Sequence, residues 1–105
     1  MAKKPETKFK EKVRSALETL PNTWCEKIQQ VAIRGTPDFL CCVNGSFVAL
    51  ELKKDDKQEL DALQKYKLAQ IENAGGLGLK ITPENWLEVF DNLRRMAVGD
   101  EPDFH

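Results

Sequence analysis

The sequence has few of the side chains that bind soft metal ions. Its one histidine is the last of 105 residues, and its three cysteines are Cys25, Cys41 and Cys42. Because Cys41 and Cys42 are neighbours in an apolar run, a strand would turn their side chains to opposite faces. The composition therefore argues against a zinc site. An odd number of cysteines without the spacing of a disulfide framework also indicates a reducing compartment.

Long apolar runs and a strong net charge are absent as well. No run is long enough to span a membrane, and the lysine-rich N-terminus does not resemble a signal peptide, so we expect a cytoplasmic protein without a membrane partner. The formal net charge is −1, which argues against tight binding of nucleic acid through charge alone. Residues 1–14 nevertheless carry six basic and two acidic side chains, and residues 84–105 carry six acidic and two basic ones. This asymmetry favours a polyanion near the N-terminal face, unless it only reflects two solvated ends.

A chain of 105 residues predicts one domain. We expect a flexible tail over residues 1–6, the domain over 7–97 and an acidic tail over 98–105. Apolar spacing, the turn pair Asn44-Gly45 and glycine or proline breaks divide the domain into elements. The predicted order is a helix over 7–20, strands over 24–33, 39–43 and 46–52, a helix over 59–73, a strand over 77–81 and a third helix that Thr82 caps, with Pro83 at its first position.

This α-β-β-β-α-β-α order predicts an α/β fold with a mixed four-stranded sheet flanked by helices. The first three strands form a meander, and the second helix crosses over to the fourth strand. We expect Trp24, Trp86 and Phe90 to be core residues rather than surfaces for stacking bases.

Three polar residues in the middle of the chain point to one site. Asp38 follows a Gly/Pro turn, and Glu51 and Lys53 come one strand later, two residues apart and therefore on one strand face. Glu51 lies in an otherwise apolar run, where a lone carboxylate is costly unless it is paired or binds a metal. Taken singly, Asp38 fits a turn residue, and Glu51 with Lys53 fits a solvated strand face. Taken together, the three residues indicate a functional site.

Two carboxylates and an ammonium at one point suit metal-assisted cleavage of a phosphodiester. Mg²⁺ is typically held by one or two carboxylates with water and substrate oxygens, and Mn²⁺ accepts similar ligands. Asp38 and Glu51 supply such a pair, and we expect the main-chain carbonyl of Leu52 as a further ligand. Lys53 is placed to orient the attacking water or to pair with the scissile phosphate. It also offsets the repulsion between the two carboxylates.

These residues resemble the signature of the PD-(D/E)XK nuclease superfamily, and most closely the VRR-NUC domain. The family pattern is a Glu in the first helix, a Lys in the next strand, Gly-x-Pro-Asp, Glu-x-Lys, a Gln in the second helix and a Gly-rich end to that helix. The resemblance covers roughly residues 7–93. The matching residues of this chain, in order, are Glu11, Lys27, Gly35-Thr36-Pro37-Asp38, Glu51-Leu52-Lys53, Gln64 and Ala74-Gly75-Gly76.

The resemblance implies a restriction-endonuclease-like αβββαβ core and a role for several side chains. It makes Glu11 a further metal ligand, with Glu18 of the same helix as the rival position. Lys27 either contacts DNA or extends from a strand edge. The catalytic residues that the resemblance implies are Asp38, Glu51, Lys53 and Gln64. The expected DNA contacts are Lys8, Lys12, Lys27 and Arg34.

The chain is similar to the family's small stand-alone members, which are largely of viral or phage type. That similarity implies a Mg²⁺-dependent endodeoxyribonuclease that cuts branched DNA such as Holliday junctions as a homodimer, in the host cytoplasm if it is phage-encoded. Few residues remain for base readout, so we expect recognition of shape and backbone. The alternatives are a nonspecific or nicking nuclease, a restriction-type or recombination subunit that acts with partners, and an inactive DNA-binding accessory protein. The intact Asp38, Glu51 and Lys53 argue against the last.

Overall fold

The computed structural model of the protein describes residues 4–29 and 34–104. Within these residues, the helices and strands follow the α-β-β-β-α-β-α order that the sequence predicts. None of the described helices is both long and apolar enough to cross a membrane. The elements are α1 (Pro5–Leu17), β1 (Thr23–Lys27), β2 (Phe39–Val43), β3 (Ser46–Leu52), α2 (Ala62–Asn73), β4 (Leu77–Ile81) and α3 (Trp86–Ala97).

The β2–β3 hairpin has the boundaries that the sequence predicts. Val43 pairs with Ser46 at its closed end. The two loop residues, Asn44 and Gly45, have φ angles of 48° and 88°, a left-handed conformation that they adopt at low cost and that suits the twist of a two-residue hairpin. Because a slip of one residue would exchange the two faces of a strand, this turn fixes which way Glu51 points.

The four strands form one mixed sheet in the order β1-β2-β3-β4, which confirms the predicted fold class. β1 with β2 and β2 with β3 are antiparallel, whereas β3 and β4 are parallel and are joined through α2. β3 is therefore an inner strand, and its residues 48–52 are all buried. Burial on both faces explains why this strand is a nearly continuous apolar run.

The main core lies between one face of the sheet and helices α1 and α3, while α2 packs on the other face. Cys41 faces this core and Cys42 is exposed, as the alternation predicts. On the α2 side, a Cβ at Gly78 would lie 3.1 Å from the main-chain oxygen of Leu68, so β4 approaches α2 closely. Core residues of the α1 and α3 face include Val13, Leu17, Phe39, Cys41, Val48, Leu50, Ile81, Trp86 and Leu93.

The first helix and strand differ from the predicted ranges. α1 begins at Pro5 and ends at Leu17, so residues 5 and 6 are helical, and proline suits the first helical position. β1 ends at Lys27, and residues 30–33 of the predicted strand lie outside the described residues. The prediction that Trp24 is a core residue is wrong, because β1 is an edge strand and 62% of this side chain is exposed.

The other two helices begin three residues later than predicted. α2 begins after Asp61, whose carboxylate accepts the N–H of Gln64 at 2.9 Å. Thr82 does not cap α3 directly: its N–H donates to Oδ1 of Asn85 at 2.8 Å, and Asn85 is the residue before the helix. Pro83 therefore lies in a turn that precedes α3. The core positions of Trp86 and Phe90 are confirmed, with their rings edge to face at 5.4 Å between centroids.

The acidic segment after α3 is held against that helix. Asn92 is buried, and its Nδ2 donates to the main-chain oxygen of Asp103 at 3.1 Å. Its Oδ1 accepts the N–H of Asp103 at 2.7 Å. Phe104 packs against the core. An amide side chain that binds both main-chain groups of one residue holds the segment against the helix at that residue.

Candidate active site

Asp38 enters the sheet from a turn that packs against the start of α2. At the head of this turn Gly35 has a φ of +81°, and a Cβ there would lie 2.8 Å from Cγ of Leu63 and 3.0 Å from its main-chain oxygen. Neither the conformation nor the space accepts a larger residue. The glycine of the Gly-x-Pro-Asp motif therefore allows the close approach to α2 that sets where Asp38 lies.

The two carboxylate oxygens of Asp38 have different partners. The N–H of Leu52 in β3 donates to Oδ2 at 2.7 Å, and the ammonium of Lys10 in α1 lies 3.3 Å from Oδ1. In an extended strand the N–H and the carbonyl of one residue point to the same side, so the Leu52 carbonyl is also directed toward the Asp38 side. The next N–H, that of Lys53, donates to Ile81 of β4 at 2.8 Å. Strand pairing thus holds Lys53 at the end of β3.

Glu51 is a buried carboxylate that has one satisfied oxygen. The residue is 5% exposed, and Nε2 of Gln64 donates to its Oε1 at 2.7 Å. Its Oε2 is buried and has no hydrogen-bond partner among the described residues. Such an oxygen raises the free energy of the folded protein unless a ligand or an ion satisfies it.

Gln64 connects Glu51 to the first turn of α2. The Oε1 of Gln64 accepts the N–H of Asp61 at 3.0 Å, while the N–H of Gln64 donates to the Asp61 carboxylate. This reciprocal arrangement is a capping box. Because the cap holds the amide oxygen, the amide nitrogen is aimed at Glu51. The structure thus places Gln64 beside the two carboxylates, where the sequence predicts it.

The pKa of Glu51 is raised from 4.5 to about 7, first by burial and then by the negative charge of Asp38. The cations Lys53 and Lys10 and the main-chain N–H of Asp38 act in the opposite direction. Near neutral pH Glu51 therefore exchanges a proton.

The metal-free protein is expected to lose stability as pH rises from about 4.5 to about 7. In this interval the native state keeps a proton on Glu51 that the unfolded chain releases, so the free energy of unfolding falls with pH. The total loss is on the order of 3 kcal/mol, and it levels off above the native pKa. Urea unfolding in EDTA at a series of pH values measures it. The variant Glu51→Gln should lose this part of the slope, and equal slopes in the two proteins would contradict the raised pKa.

An open cleft of about 320 Å³ is lined by Lys10, which pairs with Asp38, and by Leu52 and Lys53, which follow Glu51 in the chain. The two carboxylates themselves are not among its lining residues. The cleft lies between the end of β3, the loop that follows it and one side of α1. Three lysines and one glutamate give its wall a positive balance, which suits an anionic ligand. The lining residues are Glu6, Phe9, Lys10, Leu52, Lys53, Lys54 and Gln58.

Comparison with known proteins agrees with this architecture. No family model and no curated protein matches the sequence. Among solved structures, a "VRR_NUC domain" superposes with a TM-score of 0.71 over 85% of this chain and 96% of that chain, at 18% sequence identity. The chain has the fold of a VRR-NUC domain. The resemblance drawn from the motifs is thereby confirmed at the level of fold.

Within this VRR-NUC fold, the charged α1 residues that line the cleft are two that the sequence motifs do not single out. Glu6 and Lys10 lie four positions apart, on one side of the helix. Phe9 and Val13 pack into the core and fix that side. The sequence feature that indicates Glu6 and Lys10 as cleft residues is therefore their position beside the apolar stripe of α1.

The two glutamates that the sequence suggests as ligands from α1 are placed differently. Glu11 is half-buried, one position beyond Lys10, and it is not among the residues that line the cleft. Glu18 pairs with Arg14 at 3.2 Å and lines a second cleft beside β1. Of the described acidic residues of α1, Glu6 is the one that lines the cleft.

The four expected DNA contacts are spread over the surface of the VRR-NUC fold. Lys8 and Lys12 are each two positions from Lys10, or about 200° around the helix, so both are exposed on its other side. Lys27 lines the second cleft together with Arg14 and Glu18. Arg34 is exposed near the first turn of α2. The structure thus brings none of these four to the wall of the cleft beside Asp38.

The oxygen donors at this site fit a hard divalent cation. No group of three or more histidine, cysteine or acidic side chains suited to one ion occurs among residues 4–29 and 34–104. Mg²⁺ needs only one or two carboxylates when waters and substrate complete its shell. Asp38, Glu51 and the Leu52 carbonyl offer oxygen alone, the donor that Mg²⁺ and Mn²⁺ prefer. The unpartnered Oε2 of Glu51 is the group that such an ion would satisfy.

Proposed function

We propose that the protein is a nuclease that hydrolyses DNA phosphodiester bonds with the help of Mg²⁺ or Mn²⁺. The observation that carries this proposal is the buried, unpartnered Oε2 of Glu51, which lies next to Asp38 beside a lysine-lined cleft. A buried carboxylate with a strongly perturbed pKa beside a cleft is typical of functional sites, because the fold is more stable without it. The similarity to a VRR-NUC domain supports the same chemistry.

Asp38, Glu51 and the carbonyl of Leu52 would hold the cation. From α1 we propose Glu6 as an additional ligand, since it lines the cleft, with Glu11 as the alternative. A bound divalent cation would activate water and neutralise charge on the phosphoryl oxygens.

The remaining residues act on the substrate and on the carboxylates. Lys53, held at the end of β3, supplies positive charge in the cleft where the attacked phosphate would lie. Gln64 is a positioning residue, because its hydrogen bond to Oε1 leaves Oε2 of Glu51 for the ion. The same bond holds the Glu51 side chain in one orientation whether or not an ion is present, so the site is preorganised.

The cleft favours recognition of the DNA backbone. Its cations are Lys10, Lys53 and Lys54, and lysines that contact phosphates position DNA without reading bases. We propose branched DNA as the preferred substrate and a homodimer as the active form, since symmetric incisions in two strands need two sites related by a two-fold axis. A nonspecific or partner-dependent nuclease is the alternative.

A panel of DNA substrates tests the proposal. Linear, nicked, flapped and four-way DNA of matched sequence are incubated with Mg²⁺, Mn²⁺ or Ca²⁺. We expect the four-way junction to be cut fastest with Mg²⁺ or Mn²⁺, and to be bound but not cut with Ca²⁺, whose looser coordination positions water poorly. Light scattering should give twice the 12.0 kDa chain mass. Equal rates on all substrates favour the nonspecific alternative, and no cleavage of any substrate overturns the proposal.

A further inference from the structure

The ammonium of Lys10 occupies a place where a cation would bind. Of the two oxygens of Asp38, Oδ2 is used by the N–H of Leu52, and Oδ1 is the one that Lys10 contacts at 3.3 Å. The positive charge of Lys10 also acts on Glu51, because it lowers the pKa that burial raises. The single charge of this ammonium therefore offsets that of Asp38 and acts more weakly on Glu51.

The ion pair between Lys10 and Asp38 is accessible to solvent and can be broken at low cost. The side chains of Lys10 and Asp38 are 37% and 20% exposed, so water reaches the pair, and such contacts contribute little to stability. A lysine carries a compact, strongly hydrated charge on a flexible four-carbon stem. Because Lys10 lines the same cleft as Lys53 and Lys54, its ammonium can leave Asp38 and still face an anion there.

We infer that Lys10 is an exchangeable counter-ion of the active site, which pairs with Asp38 until a divalent cation arrives and then contacts the DNA backbone. This inference rests on the proposed function. It gives one residue two effects of opposite sign: Lys10 weakens the binding of the cation and strengthens the binding of DNA.

The variant Lys10→Met separates these effects, because methionine keeps an unbranched side chain in the helix and removes the charge. Without the competing ammonium, Ca²⁺ should bind about three- to tenfold more tightly, as expected for two charges a few ångströms apart in a wet site. A four-way DNA junction, bound in saturating Ca²⁺ so that it is not cut, should bind about three- to tenfold more weakly at low salt.

Calorimetry on the 105-residue chain measures Ca²⁺ binding at about pH 8.5. This pH is well above the Glu51 pKa of about 7, so protonation does not mask the effect. Fluorescence anisotropy measures DNA binding. Lys10→Arg keeps the charge and should stay near wild type in both assays. Arg14→Met is the matched control, since it removes a cation one turn further along α1 that pairs with Glu18 instead. It should leave Ca²⁺ affinity unchanged.

The measurements distinguish a failure of the role inferred for Lys10 from a failure of the proposed function. If the wild-type protein binds Ca²⁺ and Lys10→Met binds it equally well or more weakly, the counter-ion role is overturned. A loss of both affinities assigns Lys10 a merely structural role and also overturns it. If neither Ca²⁺ nor Mg²⁺ binds the wild-type protein at all, the proposed function fails, independently of Lys10.

Discussion

Replacing Glu51 by glutamine is expected to reduce DNA cleavage by about a thousandfold or more while making the metal-free protein more stable. The loss follows because a neutral amide is a poor ligand for a hard cation. The gain follows because the carboxylate is buried, which disfavours its ionised form, and glutamine carries no charge. Glutamine still accepts the hydrogen bond from Gln64 through its own oxygen.

The size of the stability gain depends on pH. Above pH 7 Glu51 is ionised in the folded protein, although its raised pKa shows that burial disfavours the charge. The ionised side chain lowers the free energy of unfolding by on the order of 3 kcal/mol relative to the protonated one. Glutamine carries no charge, so the free energy of unfolding of the variant should exceed that of wild type by up to a few kcal/mol at pH 8 and by less at pH 5. Urea unfolding in EDTA at both pH values tests this, with cleavage of four-way DNA measured in parallel.

Asp38→Asn and Glu59→Gln are the matched comparisons. Asparagine at position 38 also removes a ligand, so cleavage should fall by a similar factor. Stability should change little, because Asp38 is partly exposed and its amide replacement can still accept the N–H of Leu52. Glu59 has a side chain that is 81% exposed, and its substitution should alter neither property. Near-wild-type cleavage by Glu51→Gln would show that this residue is not part of the active site. Lower stability of the variant at pH 8 would contradict the raised pKa of Glu51.

Glu51 can be recognised from sequence for a physical reason. A charged residue in a buried inner strand breaks the apolar pattern, and the Asn44-Gly45 turn fixes the strand face on which it lies. Asp38 follows from the same hairpin, since it precedes the strand that pairs with β3. The fold class follows from element order, because strands joined by a tight turn must be antiparallel and a helical crossover allows a parallel neighbour.

The contribution of α1 could not be predicted in the same way. Glu6 and Glu11 are about 140° apart around the helix, and which of them faces Asp38 depends on how α1 docks on the sheet. The helix predicted over residues 7–20 also excludes Glu6, whereas α1 begins at Pro5. The exposure of Trp24 likewise depends on strand order, because α2 packs over β3 and β4 and leaves the same face of β1 uncovered.

Replacing Lys53 by alanine should lower the rate of cleavage at saturating DNA by about a hundredfold or more, while divalent-cation binding is kept or tightened. Lys53 is not an oxygen donor, and its charge opposes a cation at Glu51, so removing it cannot weaken the ion site electrostatically. In the proposed mechanism it supplies positive charge beside the phosphate, where negative charge would move onto the phosphoryl oxygens. Calorimetry with Ca²⁺ and single-turnover cleavage with Mg²⁺ measure the two properties separately.

Lys54→Ala provides the comparison that distinguishes chemistry from binding. Lys54 lines the same cleft but follows the end of β3, and its N–H donates to the Gln58 side chain in the loop. It should affect DNA affinity, and hence KM, with little change in the single-turnover rate at saturation. Strand pairing with Ile81 holds Lys53 in place, whereas a loop residue has no such constraint. If Lys53→Ala raised KM only, as Lys54→Ala should, Lys53 would be a DNA contact and the catalytic charge would have to come from another residue of the cleft.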